Sequence, residues 1–478
     1  MRALLSFFAG ALAATAAMAG QGEPVDPGLA PFVSVNEPNV AITHVRLVDG
    51  TGGPPQSDAT VVFSGGRILA VGASAKTPVP ANSRIIDGKG STLLPGMVGT
   101  HSHLFTGWGE PVQLWRGTAV TFPRLYLAAG TTSLRTTGAV DALADLKEKS
   151  RIDAGLVPGP KMDLTAPFLT GPGNNQRQMI ELRDAADGEA SVKYWADRGV
   201  TSFKLYEHIS SDAMAGVIRA AHARGLKVLG HLCSVGFREA AAAGIDELEH
   251  GILVDGDLVA ARKPGECIGR TRQNEAVLAT DMQSAEVGAL IGELIRRGVA
   301  ISSTLPVFES FGALPGSDAS FVKTQALQAP EVRDVVAAQR NRIRARGTQW
   351  AEVLRREMDF EVRFLRAGGL LVTGPDPSGY GAVIAGIGDW RCVELLVEAG
   401  LTPLEAIRVA TLNGARSLGR DKEIGSIAVG KVADLILVNG DPTSRIADIE
   451  NVETVFKDGI GYDSAKLFDS VRGAVSRY

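Results

Sequence analysis

Residues 95–103 read Pro95-Gly96-Met97-Val98-Gly99-Thr100-His101-Ser102-His103, an apolar run that ends on two histidines one residue apart. In an extended strand residues i and i+2 share a face, so both imidazoles are offered to one ion. Neutral imidazole is a common ligand for zinc and similar metals. Two more of the chain's seven histidines, His231 and His250, also follow short apolar runs, and Lys204 sits late in another. His44, His208 and His222 show no such pattern.

Around these residues the texture alternates between strand and helix. Eight strand candidates, at 93–99, 131–135, 162–168, 201–206, 226–231, 245–249, 299–304 and 370–373, predict a parallel sheet. Helices intervene, for example over 212–224 and, as one long helix, over 331–367. Such units between residues 95 and 417 fit an α/β fold of the (β/α)8 TIM-barrel type. The active site of such a barrel lies at the carboxyl ends of its strands, which is where His101, His103, Lys204, His231, His250 and Asp376 fall. Their wide separation excludes a compact zinc module and fits a site assembled from distant strands. Residues 254–282 and 306–330 insert after strand ends, where loops line the catalytic face.

The two ends of the chain read differently. Short alternating runs such as Arg67-Ile68-Leu69-Ala70-Val71 and Val452-Glu453-Thr454-Val455-Phe456 recur in residues 38–94 and 418–478. A sheet built from one half alone would leave unpaired edges, so both ends are expected to form one small composite β-sandwich domain. Residues 20–37, rich in Pro and Gly, read as a linker. Before them, Arg2, an apolar stretch and Ala17-Met18-Ala19 have the form of a secretory signal peptide, residues 1–19, cleaved after Ala19. That stretch is shorter than the roughly 20 residues needed to span a bilayer, and no later segment replaces it. The expectation is a secreted or periplasmic protein with no stable membrane insertion after cleavage.

Lysine plus arginine number 49 against 53 aspartate plus glutamate, a net charge of -4, so no basic footprint marks a nucleic acid or anionic membrane partner. A small molecule is the expected partner. With three cysteines, disulfides are not the main source of stability. Cys233 and Cys267 follow two successive strands and either meet at one barrel rim or stand as separate thiols.

The 95–103 run resembles the first-strand motif of the amidohydrolase superfamily. Lys204 in Phe203-Lys204-Leu205-Tyr206, His231 in Leu229-Gly230-His231, His250 in Glu249-His250-Gly251 and Asp376 in Thr373-Gly374-Pro375-Asp376 are similar to its later landmarks. Gly430-Lys431-Val432-Ala433-Asp434-Leu435 is similar to a late signature of the imidazolonepropionase-like branch, and the secreted, prolidase-like dipeptidases share the pattern. The resemblance implies two divalent metal ions, with zinc favoured by the imidazole-rich donors. It assigns His101, His103 and Asp376 to the more buried ion and His231 and His250 to the more exposed one. Lys204 would bridge them as a carbamate, since a free ammonium cannot coordinate a cation. The alternative for Lys204 is an ordinary ion pair, for example with Glu207.

The implied reaction is hydrolysis of a non-ester carbon–nitrogen bond, an amide in a dipeptide or N-acyl amino acid, by a metal-bridging hydroxide. Asp376 would shuttle the proton from the hydroxide to the departing nitrogen. A substrate carboxylate would need a partner at the mouth, for which Arg135 and Tyr206 are candidates, though each also reads as structural. The chain departs from the family at Gly99, where an aspartate commonly precedes the first histidine by two residues. Such a group orients a ligating histidine, so a neighbouring carboxylate must take its place or metal binds less firmly. Prolines also flank Asp376 on both sides. Two rivals stay open: a mononuclear deaminase or cyclic-amide hydrolase using Glu207 or His208, and a catalytically inactive secreted metal- and ligand-binding protein. A homo-oligomer is compatible with all three.

Overall fold

A computed structural model describes residues 24–108, 114–174, 176 and 178–477. The leader read at residues 1–19 lies outside them. Among the described residues no helix is long and apolar enough to cross a membrane.

The centre of the molecule is a succession of short parallel strands. Met97–Ser102, Thr131–Thr136 and Lys161–Asp163 form one sheet. Leu169–Thr170, Ser202–Leu205, Lys227–Gly230, Glu247–Glu249, Ala300–Ser303 and Leu371–Thr373 pair in chain order in a second. Isolated parallel bridges from Thr165 to Ser202 and from Ala139 to Pro167 join the two where the third strand breaks. At the other end the last strand lies against the first: Thr100 Oγ1 donates to Thr373 O at 3.3 Å and Asp376 N to His101 O at 3.1 Å. This strand order is of the TIM-barrel type. All six residues of Met97–Ser102 are buried, as expected for a parallel strand covered on both faces.

Helices pack outside through apolar stripes. Trp350–Arg366 buries Val353, Leu354, Glu357, Phe360, Glu361 and Phe364, the three-and-four spacing of an amphipathic helix. Each of the two acids in that stripe accepts from a specific donor through Oε2, Leu253 N to Glu357 at 3.0 Å and Ser303 Oγ to Glu361 at 2.8 Å, while its Oε1 stays buried without a hydrogen bond. The single long helix expected over 331–367 is two, Pro330–Arg346 and Trp350–Arg366. Gly347 at φ +67° breaks it, because glycine enters the left-handed region without a Cβ penalty and ends the preceding helix.

Strands from both ends of the chain join in one nine-stranded sheet. Ser91–Pro95 pairs in parallel with Asn39–Leu47 on one side and antiparallel with Leu435–Asn439 on the other, which stitches the ends together. The sheet curls over its own apolar face: the Phe63 and Phe456 rings lie 5.3 Å apart although their strands are not neighbours. The 20–37 linker reading needs correction over its described part. Val33–Val35 pairs with Ile460–Asp463, and Leu29 and Phe32 pack with Leu127 and Leu467. The Pro and Gly content hid a short alternating Phe-Val-Ser-Val edge strand.

Gly374 sits where the last strand meets the first. A Cβ there would lie 2.6 Å from His101 O and closer still to His101 N, backbone atoms with no room to yield. Gly374→Ala is expected to cost about 1–3 kcal/mol in a urea melt, the usual range for overpacking, and to weaken metal retention because the push falls on His101.

Candidate metal centre

The predicted residues converge where the fold places strand ends. His101 and His103 end the first parallel strand, Lys204 lies in Ser202–Leu205, His231 follows Lys227–Gly230, His250 follows Glu247–Glu249, and Asp376 follows Leu371–Thr373. The ligand atoms of His101, His103 and Asp376 all lie within 4.8 Å of one another. Asp376 Oδ1 is 3.2 Å from His103 Nε2 and 3.9 Å from His101 Nε2, and its Oδ2 is 4.0 Å from His250 Nδ1. The His231 and His250 rings are 4.4 Å apart. His231 is the most open of the four, 13% exposed against 2–4% for the others.

Two of these residues hold unusual backbone conformations. His250 has φ +66° and Asp376 φ +43°, a region costly for side chains with a Cβ. Asp376 is kept there by its N–H bond to His101 O and by Ser378, whose N–H donates to Asp376 O at 2.6 Å and whose hydroxyl lies 3.2 Å from Oδ1. Tyr126, not singled out in the sequence, fixes His103 by donating to its carbonyl and accepting from its N–H, both at 3.1 Å.

Burial sets the protonation states. It lowers the His101, His231 and His250 pKa values well below the ordinary histidine range, leaving neutral imidazoles able to ligate. Burial also lowers Lys204, to about 8, against the opposing pull of Glu249 and Asp376. For Asp376 burial works the other way, but interactions with His101, His103 and Lys204 prevail and bring it to about 2, an ionised carboxylate at neutral pH.

Glu249 answers the question raised by Gly99. Its Oε2 lies 2.5 Å from His101 Nδ1, both groups out of water, so a carboxylate from the sixth strand position orients the histidine in place of one at 99. Its other oxygen, Oε1, is 3.4 Å from Lys204 Nζ, yet neither atom makes a hydrogen bond although both are buried. The ordinary ion-pair alternative for Lys204 thus has its carboxylate in Glu249, not Glu207, while a buried lysine nitrogen with no hydrogen bond, beside neutral imidazoles and an ionised aspartate, also fits the edge of a divalent cation site.

Arg135 is not at the mouth. It is 3% exposed and grips Glu247 with both terminal guanidinium nitrogens, one of which also donates to Thr100 O at 2.8 Å. Glu247 and Glu249 share the inner face of one strand, so the Arg135 pair forms the layer beneath the histidines. The carboxylate-anchor reading of Arg135 is thereby corrected in favour of the structural one, because an inward strand position is enclosed by its neighbours. Tyr206 does line the cavity, its ring 4.8 Å from that of His231. Besides Lys204, the cation that lines this cavity is Arg270, from the inserted segment, which nothing in the sequence singled out beyond the placing of that insertion on the catalytic face. Glu207 Oε1 is 3.6 Å from His231 Nε2. Glu207 and His208 also approach Cys267, but that sulfur is bonded to Cys233 and offers no thiolate.

The amidohydrolase family model, described as "Amidohydrolase family", matches residues 92–276 and 366–460. The chain belongs to this family. A putative prolidase from Bifidobacterium longum superposes on this amidohydrolase with a TM-score of 0.67 at 24% identity, covering 91% of this chain and 98% of that one. A Xaa-Pro dipeptidase with bound methionine in its active site gives 0.67 at 20%, covering 89% and 100%. At these identities the likeness is one of fold. Adenine deaminase 3 of Rhizobium meliloti is 23% identical over 84% of this chain and 55% of its own length. Imidazolonepropionase of Parabacteroides distasonis is 46% identical over 63 residues, 12% of this chain, which thus spans only 15% of that relative.

The hydrogen bond from His101 to Glu249 yields a direct test. Glu249→Gln keeps the shape and removes the charge, and equilibrium titration with zinc is expected to show roughly 10–100-fold weaker binding, the usual cost of losing such a partner.

Proposed function

We propose that this amidohydrolase cleaves the amide bond of a small carboxylate-bearing substrate, a dipeptide or an N-acyl amino acid. The observation that carries this reading is Arg270. Arg270 lines the same cavity as the histidine cluster, a space of about 210 Å³, where its guanidinium lies 5.9 Å from the Phe311 ring and, among the described residues, forms no ion pair. An unneutralised cation facing a small, aromatic-walled cavity favours a substrate with an anionic end. Phe105, Phe168 and Phe308 offer the apolar walls for a side chain.

In this reading His101, His103 and Asp376 would hold one divalent ion and His231 and His250 a second, with Lys204, as a carbamate, a further donor. When bound, two such ions, zinc by the character of the donors, supply a water of lowered pKa and polarise the scissile carbonyl. Asp376, ionised, accepts the proton released as the attacking water adds and returns it to the departing nitrogen, which would otherwise leave as an amide anion. Arg270 binds the substrate carboxylate, and Tyr206, kept protonated because burial raises its pKa, offers a hydroxyl donor beside His231. Glu249 holds the His101 ring in the orientation ligation requires. The same reading takes residues 95–417 as one closed (β/α)8 barrel and residues 38–94 with 418–478 as the composite β domain. A disulfide and the 1–19 leader together favour a secreted or periplasmic setting.

A second reading, a mononuclear deaminase or cyclic-amide hydrolase, is favoured by the adenine deaminase likeness over most of the chain. Metal stoichiometry separates the two. Protein prepared with bicarbonate is expected to carry about two metals per chain, falling in Lys204→Ala. One metal in both proteins would transfer support to the second reading.

Turnover of a dipeptide and N-acyl amino acid panel, set beside adenine and a cyclic amide, tests the substrate class. Arg270→Met is expected to raise KM for carboxylate-bearing substrates by about 10–100-fold, as for loss of a charged hydrogen bond worth about 1.5–3 kcal/mol. Its effect on kcat should be smaller. Activity confined to adenine or the cyclic amide would sink the proposal.

A further inference from the structure

Arg270 reaches the cavity from a segment that leaves the parallel sheet after Glu249 and rejoins it at Ala300. Between Val259 and Gly269 this segment forms neither helix nor strand. Arg262 ties its start to the body through Ser234 O at 2.7 Å and braces it internally through Asp257 at 3.1 Å. Beyond that point residues 263–269 make local polar contacts such as Lys263 N to Glu266 at 2.9 Å, apart from the approach of Ile268 O to Cys233 Sγ at 3.4 Å beside the bridge. Arg270 then opens the helix Arg270–Ala279, whose N-cap Gly269 supplies no side-chain bond. Only Gln273 and Val277 of that helix are buried, and Gln273 holds it a turn further on by donating to Asp255 O at 2.9 Å. Apart from the Arg270 guanidinium, which lies 5.9 Å from the Phe311 ring, the first turn lacks such a tie.

The disulfide supplies one. Cys267 stands three residues before Arg270, and its partner Cys233 stands two residues after His231. The bridge therefore fastens the approach to Arg270 onto the strand end that carries a metal-site histidine. We propose that the Cys233–Cys267 disulfide is a positioning element that holds Arg270 over the histidine cluster and so sets the affinity for an anionic substrate end. The consequence for substrate rests on the carboxylate reading of Arg270 given above; the positional claim does not. A free rotation of residues 263–270 would carry the guanidinium away from the cavity while leaving the ligands on their strands. Loss of the bridge should thus act on substrate binding and spare the metal.

The test uses the metal-loaded full chain in two forms, Cys233→Ser with Cys267→Ser, and parent protein reduced by a water-soluble phosphine. In the reduction the two sulfurs become thiols, taking both hydrogens of one water, while the phosphine takes its oxygen and leaves as the oxide. Amide hydrogen exchange is read across the chain, metal per chain is counted, and KM is measured for a dipeptide and for the same dipeptide with its C-terminus amidated. The expected result is faster exchange confined to residues 262–279, unchanged metal content, and KM raised about tenfold for the acid with little change for the amide. Unchanged exchange at 262–279 in both forms overturns the proposal. So does exchange that rises everywhere with loss of metal, which would make the bridge a general support of the fold. If the serine variant does not fold, the reduced parent decides alone. A parent that treats acid and amide alike defeats the carboxylate reading, and the exchange pattern then judges the positional claim by itself.

Discussion

Glu249 stands between His101 and Lys204 with all three side chains out of water, and the polar centre of the molecule is organised by that placement. A carboxylate in such a position must be compensated, since an isolated buried charge is far more costly than a paired one. Its compensation runs to the first strand through His101 and to the fourth through Lys204. Those strands can approach Glu249 together only if the parallel strands follow one another in order and the last returns to the first. Thr100 to Thr373 and Asp376 N to His101 O make that return. The same return brings Asp376 within 4.0 Å of three histidines drawn from two separate strand ends.

The interior is layered by chemistry. Beneath the histidines, Arg135 and Glu247 neutralise each other, helped by Ser417 donating to Glu247 at 2.7 Å. Above, the groups are left incompletely satisfied, as the lone Lys204 nitrogen and Glu249 oxygen record. A charge-neutralised pair below, with only Arg135 Nε left without a hydrogen bond, and an open lysine nitrogen and carboxylate oxygen above is the arrangement expected when the lower layer supports the fold and the upper one takes a ligand. Strain follows the same division, with left-handed backbone at His250 and Asp376. The mouth is built differently, from insertions as well as strand ends, and Arg270 and Phe308 arrive on helices outside the parallel strands.

How far the chain could be read in advance depended on the range of the physics. His101 and His103 were legible because a period of two is local to a strand. Lys204, His231, His250 and Asp376 were legible because each lies late in or just after a strand-like run, and the resemblance to amidohydrolases arranged them. Val33–Val35 was hidden because three residues beside Pro and Gly carry too little pattern to register. The break at Gly347 was passed over because one glycine inside a charged, helix-favouring stretch does not announce whether it bends or ends the helix.

Composition, strand-end motifs and alternation determined by themselves that this chain is an α/β protein with histidines, a lysine and an aspartate at strand ends, since those signals are carried by neighbours in sequence. Only the tertiary structure decided that Glu249 replaces the carboxylate missing at Gly99, that Arg135 is locked beneath the site, that Arg270 takes the place at the mouth, and that Cys233 meets Cys267. Each of those depends on which side chain faces which across separate strands or insertions, and pairing over such distances is fixed by packing and closure, not by local propensity.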